Sequence, residues 1–382
     1  MRVKIGRVAI LATIIGVLAI GGSDASAYPQ FQFSTGAARC GECHLTSSGG
    51  GLLNDYGRGE SADTISGKGD GALLHGAWTP PAWLTLGGDL RGALGPKRLD
   101  GEQPRFLAFP MQVDLSARVA VGPISLTVVA GLNGAVRARP DGASAINYLV
   151  SRQHFLTYQR DPESLTVRAG RFSPTLGLGT QDHTAYVRRY LGEYLLEEPY
   201  ALEVSRARGR WEVYGAAFAP NPIVATRVGQ PSYGASAYVE RLLAGGATAI
   251  AGQARVAIGD ADQRVLVGAV GKRWLEGPKL MLLGELDLQR QRIPDGRFTR
   301  YQLIGYAGVS RMFLPGYLLG VAVQRFAPDV TLRGTTRNAV EVNAQWFPWA
   351  HVEAHLLGRA EATGGDTTHP NLLALLQLHY YL

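Results

Sequence analysis

The sequence predicts an all-β fold, an antiparallel barrel of about sixteen strands, from three observations. Apolar and polar residues alternate within many short segments, short and long connections alternate along the chain, and aromatic residues recur at strand ends. An alternation with a period of two is typical of a strand that has one apolar and one polar face. The 49 glycines follow neither the collagen period nor a linker composition, and they suit a barrel with many turns and bends.

The segment from 279 to 289 shows the alternation clearly. Its even positions are leucine or glycine, whereas Glu285, Asp287 and Gln289 fall at odd positions. Such a strand separates an apolar side from a wet side. About sixteen segments are interpreted as strands, near residues 83–94, 106–120, 123–134, 146–160, 164–171, 200–208, 211–219, 233–243, 247–258, 264–275, 279–290, 300–312, 317–326, 337–347, 350–360 and 371–382.

The connections between these segments alternate in length. Gly122-Pro123 and Arg208-Gly209 are tight turns, and the intervening connections are longer and polar. An even number of strands, with short periplasmic turns and longer outer loops, is typical of barrels in the bacterial outer membrane. A soluble β-propeller or β-sandwich is the alternative, but the chain has no blade-length repeat. The longer connections are predicted at 95–105, 172–199, 220–232, 291–299 and 361–370.

Aromatic residues at strand ends predict one interfacial girdle beside the short turns. The last strand resembles the C-terminal strand of outer-membrane barrels, although it ends in Leu382 where those usually end in phenylalanine. The residues assigned to the girdle are Trp83, Trp211, Trp274, Phe313, Tyr317, Trp346, Phe347 and Trp349.

The first 27 residues have the features of a secretory signal peptide. A basic start is followed by an apolar run from 8 to 20 and by Ala25-Ser26-Ala27, so cleavage is expected before Tyr28. No later segment is long and apolar enough to cross a membrane as a helix. A membrane location therefore requires a barrel or a peripheral attachment.

The two cysteines of the chain stand in Cys40-Gly41-Glu42-Cys43-His44. This C-x-x-C-H spacing attaches a c-type haem: each thiol bonds one vinyl group, and the histidine is the proximal iron ligand. A disulfide or a redox-active dithiol is an alternative, but it leaves His44 unexplained and the βαβ context of such dithiols is missing. A structural zinc site normally requires four ligands, and only three are near.

These features divide the chain into a signal peptide (1–27), a haem-attachment segment (28–80) and an outer-membrane barrel (81–382). The plan is similar to that of the porin–cytochrome systems, which take electrons across bacterial outer membranes. The resemblance implies one covalent haem c, on the periplasmic side, within a larger electron conduit. Because 28–80 is short and has little apolar cover, the haem needs shielding that a plug inside or beneath the barrel would supply.

The sixth position of the iron has several candidate ligands. His75 is the nearest in sequence and is the distal candidate. A second histidine would favour electron transfer, whereas an open position would favour catalysis or sensing. The further candidates are His154, His183, His351, His355, His369, Met111, Met281 and Met312.

The connection 172–199 contains Arg188 and Arg189 within a dense polar and aromatic patch. If this loop folds inward, paired arginines would narrow the pore and favour anionic solutes. An external loop whose charges face water is the alternative.

The sequence thus predicts a non-enzyme that relays electrons to or from periplasmic or outer-membrane carriers and contacts membrane lipid. The alternative function is a solute porin with an N-terminal plug, in which the haem is structural or a redox gate. A haem peroxidase or gas sensor carried on a barrel is a third class. A nucleic-acid partner is not expected, because the arginines are spread among acidic residues despite a formal charge of +7.

Overall fold

The structure, a computed structural model, describes residues 28–46, 51–132, 149–180, 182, 184–192, 198–220, 232–260, 262–293 and 298–382. The predicted signal peptide and His183 lie outside the described residues. The strands are β1 Leu84–Arg98, β2 Arg105–Val121, β3 Ile124–Leu132, β4 Leu149–Tyr158, β5 Thr166–Arg171, β6 Tyr200–Arg208, β7 Trp211–Ala219, β8 Tyr233–Leu242, β9 Thr248–Ile258, β10 Gln263–Leu275, β11 Leu280–Ile293, β12 Phe298–Leu314, β13 Tyr317–Ala327, β14 Arg337–Trp349, β15 Val352–Thr363 and β16 Asp366–Tyr381.

These strands form one closed antiparallel barrel in which each strand pairs with its sequence neighbours. The first and last strands close it, with Asp89 opposite Tyr381 and Leu94 opposite Leu376. Closure leaves no unpaired strand edge. The predicted barrel is confirmed, and all sixteen predicted segments correspond to strands of the described chain.

The alternation in the sequence sorts side chains between the outside and the lumen. On β11, Leu286 and Leu288 are each 55% exposed, whereas Asp287 is fully buried and Gln289 is 2% exposed. The apolar side chains therefore face outward, and the polar ones face a crowded interior. This is the inverse of a soluble protein and suits a hydrocarbon solvent.

The two ends of the barrel differ, as the connections predicted. At the end that we call the turn end, residues 122–123, 209–210, 315–316 and 350–351 are two-residue turns. The opposite end, the loop end, contains the long connections 172–199 and 220–232.

Two predicted long connections at the loop end are corrected. Strands β11 and β12 extend further than the polarity of 291–299 suggested, so only 294–297 separate them. Strands β15 and β16 likewise meet at Gly364 and Gly365, both with positive φ. The polar residues on either side of these two connections lie on strands of the paired sheet.

The aromatic girdle is also corrected at two positions. Trp83, Trp211 and Trp349 are about half exposed at the turn end. By contrast, Phe347 is only 3% exposed and packs on Phe31 inside the barrel. Trp274 packs against an interior cluster and donates to the Glu276 carboxylate. Position at a strand end did not specify which face these two rings occupy.

Residues between 28 and 83 include two short helices, α1 (Cys40–Cys43) and α2 (Asp55–Glu60). A 3₁₀ turn at Pro29–Phe31 precedes α1, a π-helical turn at Ser61–Ser66 continues α2, and a second 3₁₀ turn spans Leu73–Gly76. Helix α3 (Tyr186–Arg189) lies in the long connection after β5. Among the described residues, no helix has the length and apolarity needed to span a membrane.

The described residues of the segment 28–66, which do not include 47–50, lie against interior side chains of the barrel. Phe31 packs with Leu318 and Phe347, and the Arg39 guanidinium pairs with Glu212 at 3.0 Å. At the turn end, the Ile65 carbonyl accepts a hydrogen bond of 2.6 Å from the Gly316 amide. We call residues 28–66 the luminal segment.

Candidate functional site

The C-x-x-C-H motif forms helix α1. Cys40 and Cys43 are three residues apart, so both thiols point from the same face of the helix. The Glu42 carboxylate accepts a hydrogen bond of 2.8 Å from the Ala38 amide, which precedes the helix. His44 ends the helix with extended backbone angles, and its amide donates to the Cys40 carbonyl at 3.0 Å.

Asn54 joins α1 to α2. Its side-chain oxygen caps α2 by accepting from the Gly57 amide at 2.9 Å. Its side-chain amide donates to the Glu42 carbonyl at 2.8 Å, and its backbone amide donates to the Cys43 carbonyl at 3.0 Å. These bonds satisfy carbonyls that the end of a helix leaves without partners, so α2 fixes the position of the motif.

Close packing of the two helices depends on Gly57. A Cβ atom at this position would lie 2.3 Å from the Cys43 carbonyl oxygen. Gly57→Ala should therefore separate α1 from α2 and destabilise the luminal segment by about 1–3 kcal/mol, the usual cost of overpacking. Hydrogen exchange of residues 38–60 in the intact protein measures the effect.

Gly59→Ala is the matched control for this prediction. Gly59 is in the same helix, and its Cβ would meet no atom within 4 Å. In a helix, this replacement should stabilise by up to about 1 kcal/mol. Equal exchange rates in the two variants would contradict the proposed role of Gly57.

Both thiols and His44 line one cavity between the luminal segment and the barrel wall. Its empty volume is about 940 Å³, including space open to solvent. Phe31, Ile65 and Phe347 supply apolar walls, and the C-terminal residue Leu382 closes part of one side. The cavity contains the donor set of a covalent haem and apolar cover for the macrocycle. The residues present therefore fit this cofactor.

The two thiols are held in their protonated form. Burial raises the pKa of Cys40 to about 11 and that of Cys43 to about 12. Lys272, paired with Glu240 at 2.8 Å, opposes the shift at Cys40 through its positive charge. Since the thiolate is the nucleophile, both cysteines are weak nucleophiles near neutral pH.

His75 does not line this cavity. It is exposed, its ring lies 5.0 Å from the His351 ring, and its Nδ1 is 3.2 Å from the Asp70 carbonyl. None of the other described candidates for the sixth iron ligand lines the cavity. They lie elsewhere on the barrel wall or in turns: His154, His351, His355, His369, Met111, Met281 and Met312. The distal role of His75 stays a prediction without support from its position.

Sequence analysis missed His379, which does line the cavity. It is 4% exposed, and its ring contacts two carboxylates, Asp89 and Glu353, each at 3.0 Å. The alternation in β16 contained the signal, because His379 falls between Leu378 and Tyr380 on the polar face of the last strand. That pattern places it in the lumen near the turn end, but it does not say what lies opposite.

Tyr28 binds to the same group of side chains. Its hydroxyl donates to Glu353 and lies 3.1 Å from Nδ1 of His379. Burial and the neighbouring Glu353 carboxylate raise the pKa of Tyr28 well above its usual value. The start of the luminal segment is therefore attached where β15, β16 and β1 meet.

The other polar residues of the motif region have separate partners. Tyr56 donates to the Thr35 carbonyl at 2.6 Å, and Arg58 donates to the Leu86 carbonyl of β1. Of the three residues Asn54, Tyr56 and Arg58, only Arg58 contacts the barrel directly through these bonds. Burial lowers the pKa of its guanidinium.

In the long connection 172–199, the described residues 174–180 and 184–192 lie inside the barrel. The Leu178 amide donates to Glu285 at 2.8 Å, and the Tyr186 amide donates to Gln324 at 2.9 Å. Helix α3 is buried against Ile304 and Phe326. The backbone of this inward loop is thus bound to side chains of β11 and β13, on the lumen face.

The two predicted pore arginines differ in their surroundings. Arg188 is 8% exposed and donates to the Thr180 carbonyl at 3.0 Å within the inward loop. Arg189 is exposed, and its guanidinium lies 5.6 Å from the Tyr190 ring centre. A role in the pore stays a prediction for both.

The luminal segment and the inward loop approach each other inside the barrel. Phe33 packs against the cluster that contains Leu178 and Tyr238. Its backbone has a φ of 68°, a strained conformation for a bulky residue. Pro29 and Gln30 share a cavity with Thr180 of the inward loop. Described residues of both segments therefore occupy part of the interior.

No protein-family model and no curated protein sequence matches the chain. Solved outer-membrane proteins match its fold. A loop-deletion mutant of OmpT from Vibrio cholerae has a TM-score of 0.59 at 11% identity, over 78% of this chain and 99% of that chain. An anion-selective porin from Comamonas acidovorans gives the same four values. The outer membrane channel DcaP of Acinetobacter baumannii has a TM-score of 0.51 at 11% identity, with 80% and 99% covered. At these identities, the likeness shows the fold alone.

Proposed function

We propose that this protein is an outer-membrane channel of the porin type that its own luminal segment closes from the periplasmic side. The observation that carries the proposal is the packing of Phe33, in the luminal segment, against a cluster of lumen-facing residues that also contains Leu178 of the inward loop. With both segments inside the barrel, the channel is expected to conduct freely only when one of them moves.

The outer surface of the barrel supports a membrane location. Leu286, Leu288 and Val342 are more than half exposed on strands whose other faces are polar. Such a surface is stable in hydrocarbon and aggregates in water. The solved channels and porins with this fold agree with an outer-membrane placement. Short turns then lie in the periplasm, with the luminal segment entering from that side.

Proteoliposome swelling tests the channel function. Vesicles containing the full chain are placed in neutral sugars of increasing size, beside vesicles containing a porin of known size limit. We expect slow swelling with the smallest sugars only. Rapid entry of all the sugars that the reference porin passes would contradict closure by the luminal segment.

The exposed charge of Arg189 is expected to favour anions in the open channel. Arg189→Gln should lower the ratio of anion to cation permeability modestly, by about twofold at low salt and less at high salt, because salt screens exposed charges. Reversal potentials in a salt gradient measure this ratio. The matched variant Arg188→Gln should instead loosen the inward loop, since Arg188 is buried. If the ratio of anion to cation permeability is unchanged in Arg189→Gln, Arg189 does not line the pore.

A second candidate function, electron relay through one covalent haem c, is favoured by a separate observation. Cys40, Cys43 and His44 line one cavity with apolar walls. When bound, the haem supplies one-electron redox chemistry. The residues of this chain would bind it through two thioethers and His44, exclude water with Phe31 and Phe347, and position it near the turn end. Periplasmic or outer-membrane electron carriers are then the partners.

Intact mass together with the reduced absorption spectrum tests this second function. The protein is purified from outer membranes of a host that matures c-type cytochromes. One covalent haem on a chain that begins at Tyr28 would support both the attachment and the signal-peptide cleavage. A mass without haem would contradict electron relay and leave the channel function in place.

A further inference from the structure

We propose that His379 is the second axial ligand of the iron when haem is bound through Cys40, Cys43 and His44. The inference rests on the proposed haem attachment. It names a ligand from the last barrel strand, so that the cofactor would connect the luminal segment to the barrel wall.

The residues that line the cavity limit the choice of ligand. Among the described lining residues, His379 is the one imidazole besides His44, and no methionine is present. Histidine and methionine are the usual sixth ligands of electron-transfer haems. Tyr28 and Tyr381 also line the cavity, but the Tyr28 hydroxyl already donates to Glu353.

The backbone register fixes His379 in place. On the two neighbouring strands, Arg91 of β1 and Glu353 of β15 lie directly opposite His379. The Glu353 carboxylate is 3.0 Å from Nδ1, and an Arg91 nitrogen is 3.1 Å from the same atom. A carboxylate on one ring nitrogen orients the ring and increases the basicity of the other nitrogen. Metal-binding histidines commonly have this arrangement.

The other ring nitrogen also has a carboxylate beside it. Nε2 lies 3.0 Å from Oδ1 of Asp89, which also lines the cavity. Iron binding at Nε2 would therefore require the Asp89 side chain to move away from the ring.

The residues of this chain would hold the iron through Nε2 of His379. Glu353 would keep its contact with Nδ1 and orient the ring. Any proton on Nε2 would pass to solvent, because histidine binds a metal ion through an unprotonated nitrogen.

His75 is a less suitable ligand for geometric reasons. It is exposed outside the cavity, and its backbone has a φ of 55° within a turn at the mouth of the barrel. His355 is buried on β15, but it borders the cavity shared by Gln30 and Thr180 and does not line the cavity of the C-x-x-C-H motif. Both histidines therefore serve as matched controls.

The experiment combines intact mass with absorption and electron paramagnetic resonance spectra of the full-length protein. We expect a low-spin spectrum for the unmodified chain, for His75→Ala and for His355→Ala. His379→Ala should become high-spin and should bind carbon monoxide in the reduced state. Added imidazole should restore the low-spin spectrum, which a merely structural role of His379 would not produce.

His379→Met provides a second variant because it can still ligate iron. We expect a low-spin spectrum with the methionine charge-transfer band. If His379→Ala keeps covalent haem and an unchanged low-spin spectrum, the assignment of His379 is overturned while haem attachment stands. If His75→Ala becomes high-spin instead, His75 is the ligand and the assignment is also overturned. If the unmodified chain carries no haem by mass, the proposed attachment itself fails.

Discussion

Removing the rings of Phe31 and Phe33 together should open the channel. Phe31 is 7% exposed and packs with Leu318 and Phe347, and the partly buried Phe33 packs against the cluster that contains Leu178. A phenylalanine-to-alanine change costs about 3–5 kcal/mol at a buried position such as Phe31, and less at a partly buried one such as Phe33. Even about 3 kcal/mol in total would favour displacement of the luminal segment by roughly a hundredfold. Conductance in planar bilayers should rise, and the inward loop, which stays inside the barrel, should then limit it.

The double variant Phe298→Ala/Phe313→Ala is the matched control. Each of these rings is 47% exposed, so their removal leaves the luminal segment in place. Its conductance should stay at the level of the unmodified protein. If Phe31→Ala/Phe33→Ala also conducts no better, while its barrel is folded, the luminal segment does not close the channel.

Replacing both cysteines, as Cys40→Ala/Cys43→Ala, should remove covalent haem completely. Each thiol supplies one of the two thioether bonds. The thiols lie on α1, outside the strand ladder, so the barrel should still fold and insert. Intact mass should fall by one haem per chain, and reduction by a periplasmic electron carrier should stop.

His75→Ala should keep its haem, since His75 lies outside the cavity.

For the cysteine variant, swelling rates in sugars distinguish between the two proposed functions. If vesicles with the cysteine variant swell as slowly as those with the unmodified protein but no longer exchange electrons, the haem serves as an electron relay. If solutes enter faster, the haem helps to close the channel. Haem that remains covalently bound without either cysteine would contradict the attachment.

The strands could be predicted because they are local patterns, and the haem attachment stays a prediction from a local motif. An alternation with a period of two over ten residues shows which side chains share a face. The two thiols and the histidine that are expected to bind haem lie within five consecutive residues. The strands extended beyond the predicted ends near 291–299 and 361–370, where polar side chains remain on paired backbone. Polarity there indicated contact with water but did not mark the end of the hydrogen-bonded ladder.

Positions that depend on packing could not be predicted from such patterns. Trp274 and Phe347 were assigned to the girdle, yet they point inward because the luminal segment and interior clusters offer them apolar surface. Arg188 and Arg189 are adjacent in sequence, but one is buried and the other exposed. The difference follows from how the inward loop packs on β12 and β13.

The sequence by itself determined a barrel of about sixteen strands with a polar interior, and it contains a C-x-x-C-H motif before the first strand. Only the tertiary structure decided that the motif lies inside the lumen and that His379, 335 positions after His44, shares its cavity. Local alternation is set by the geometry of a single strand. The pairing of β1 with β16, which brings the two ends of the chain together, depends on closure of the whole barrel.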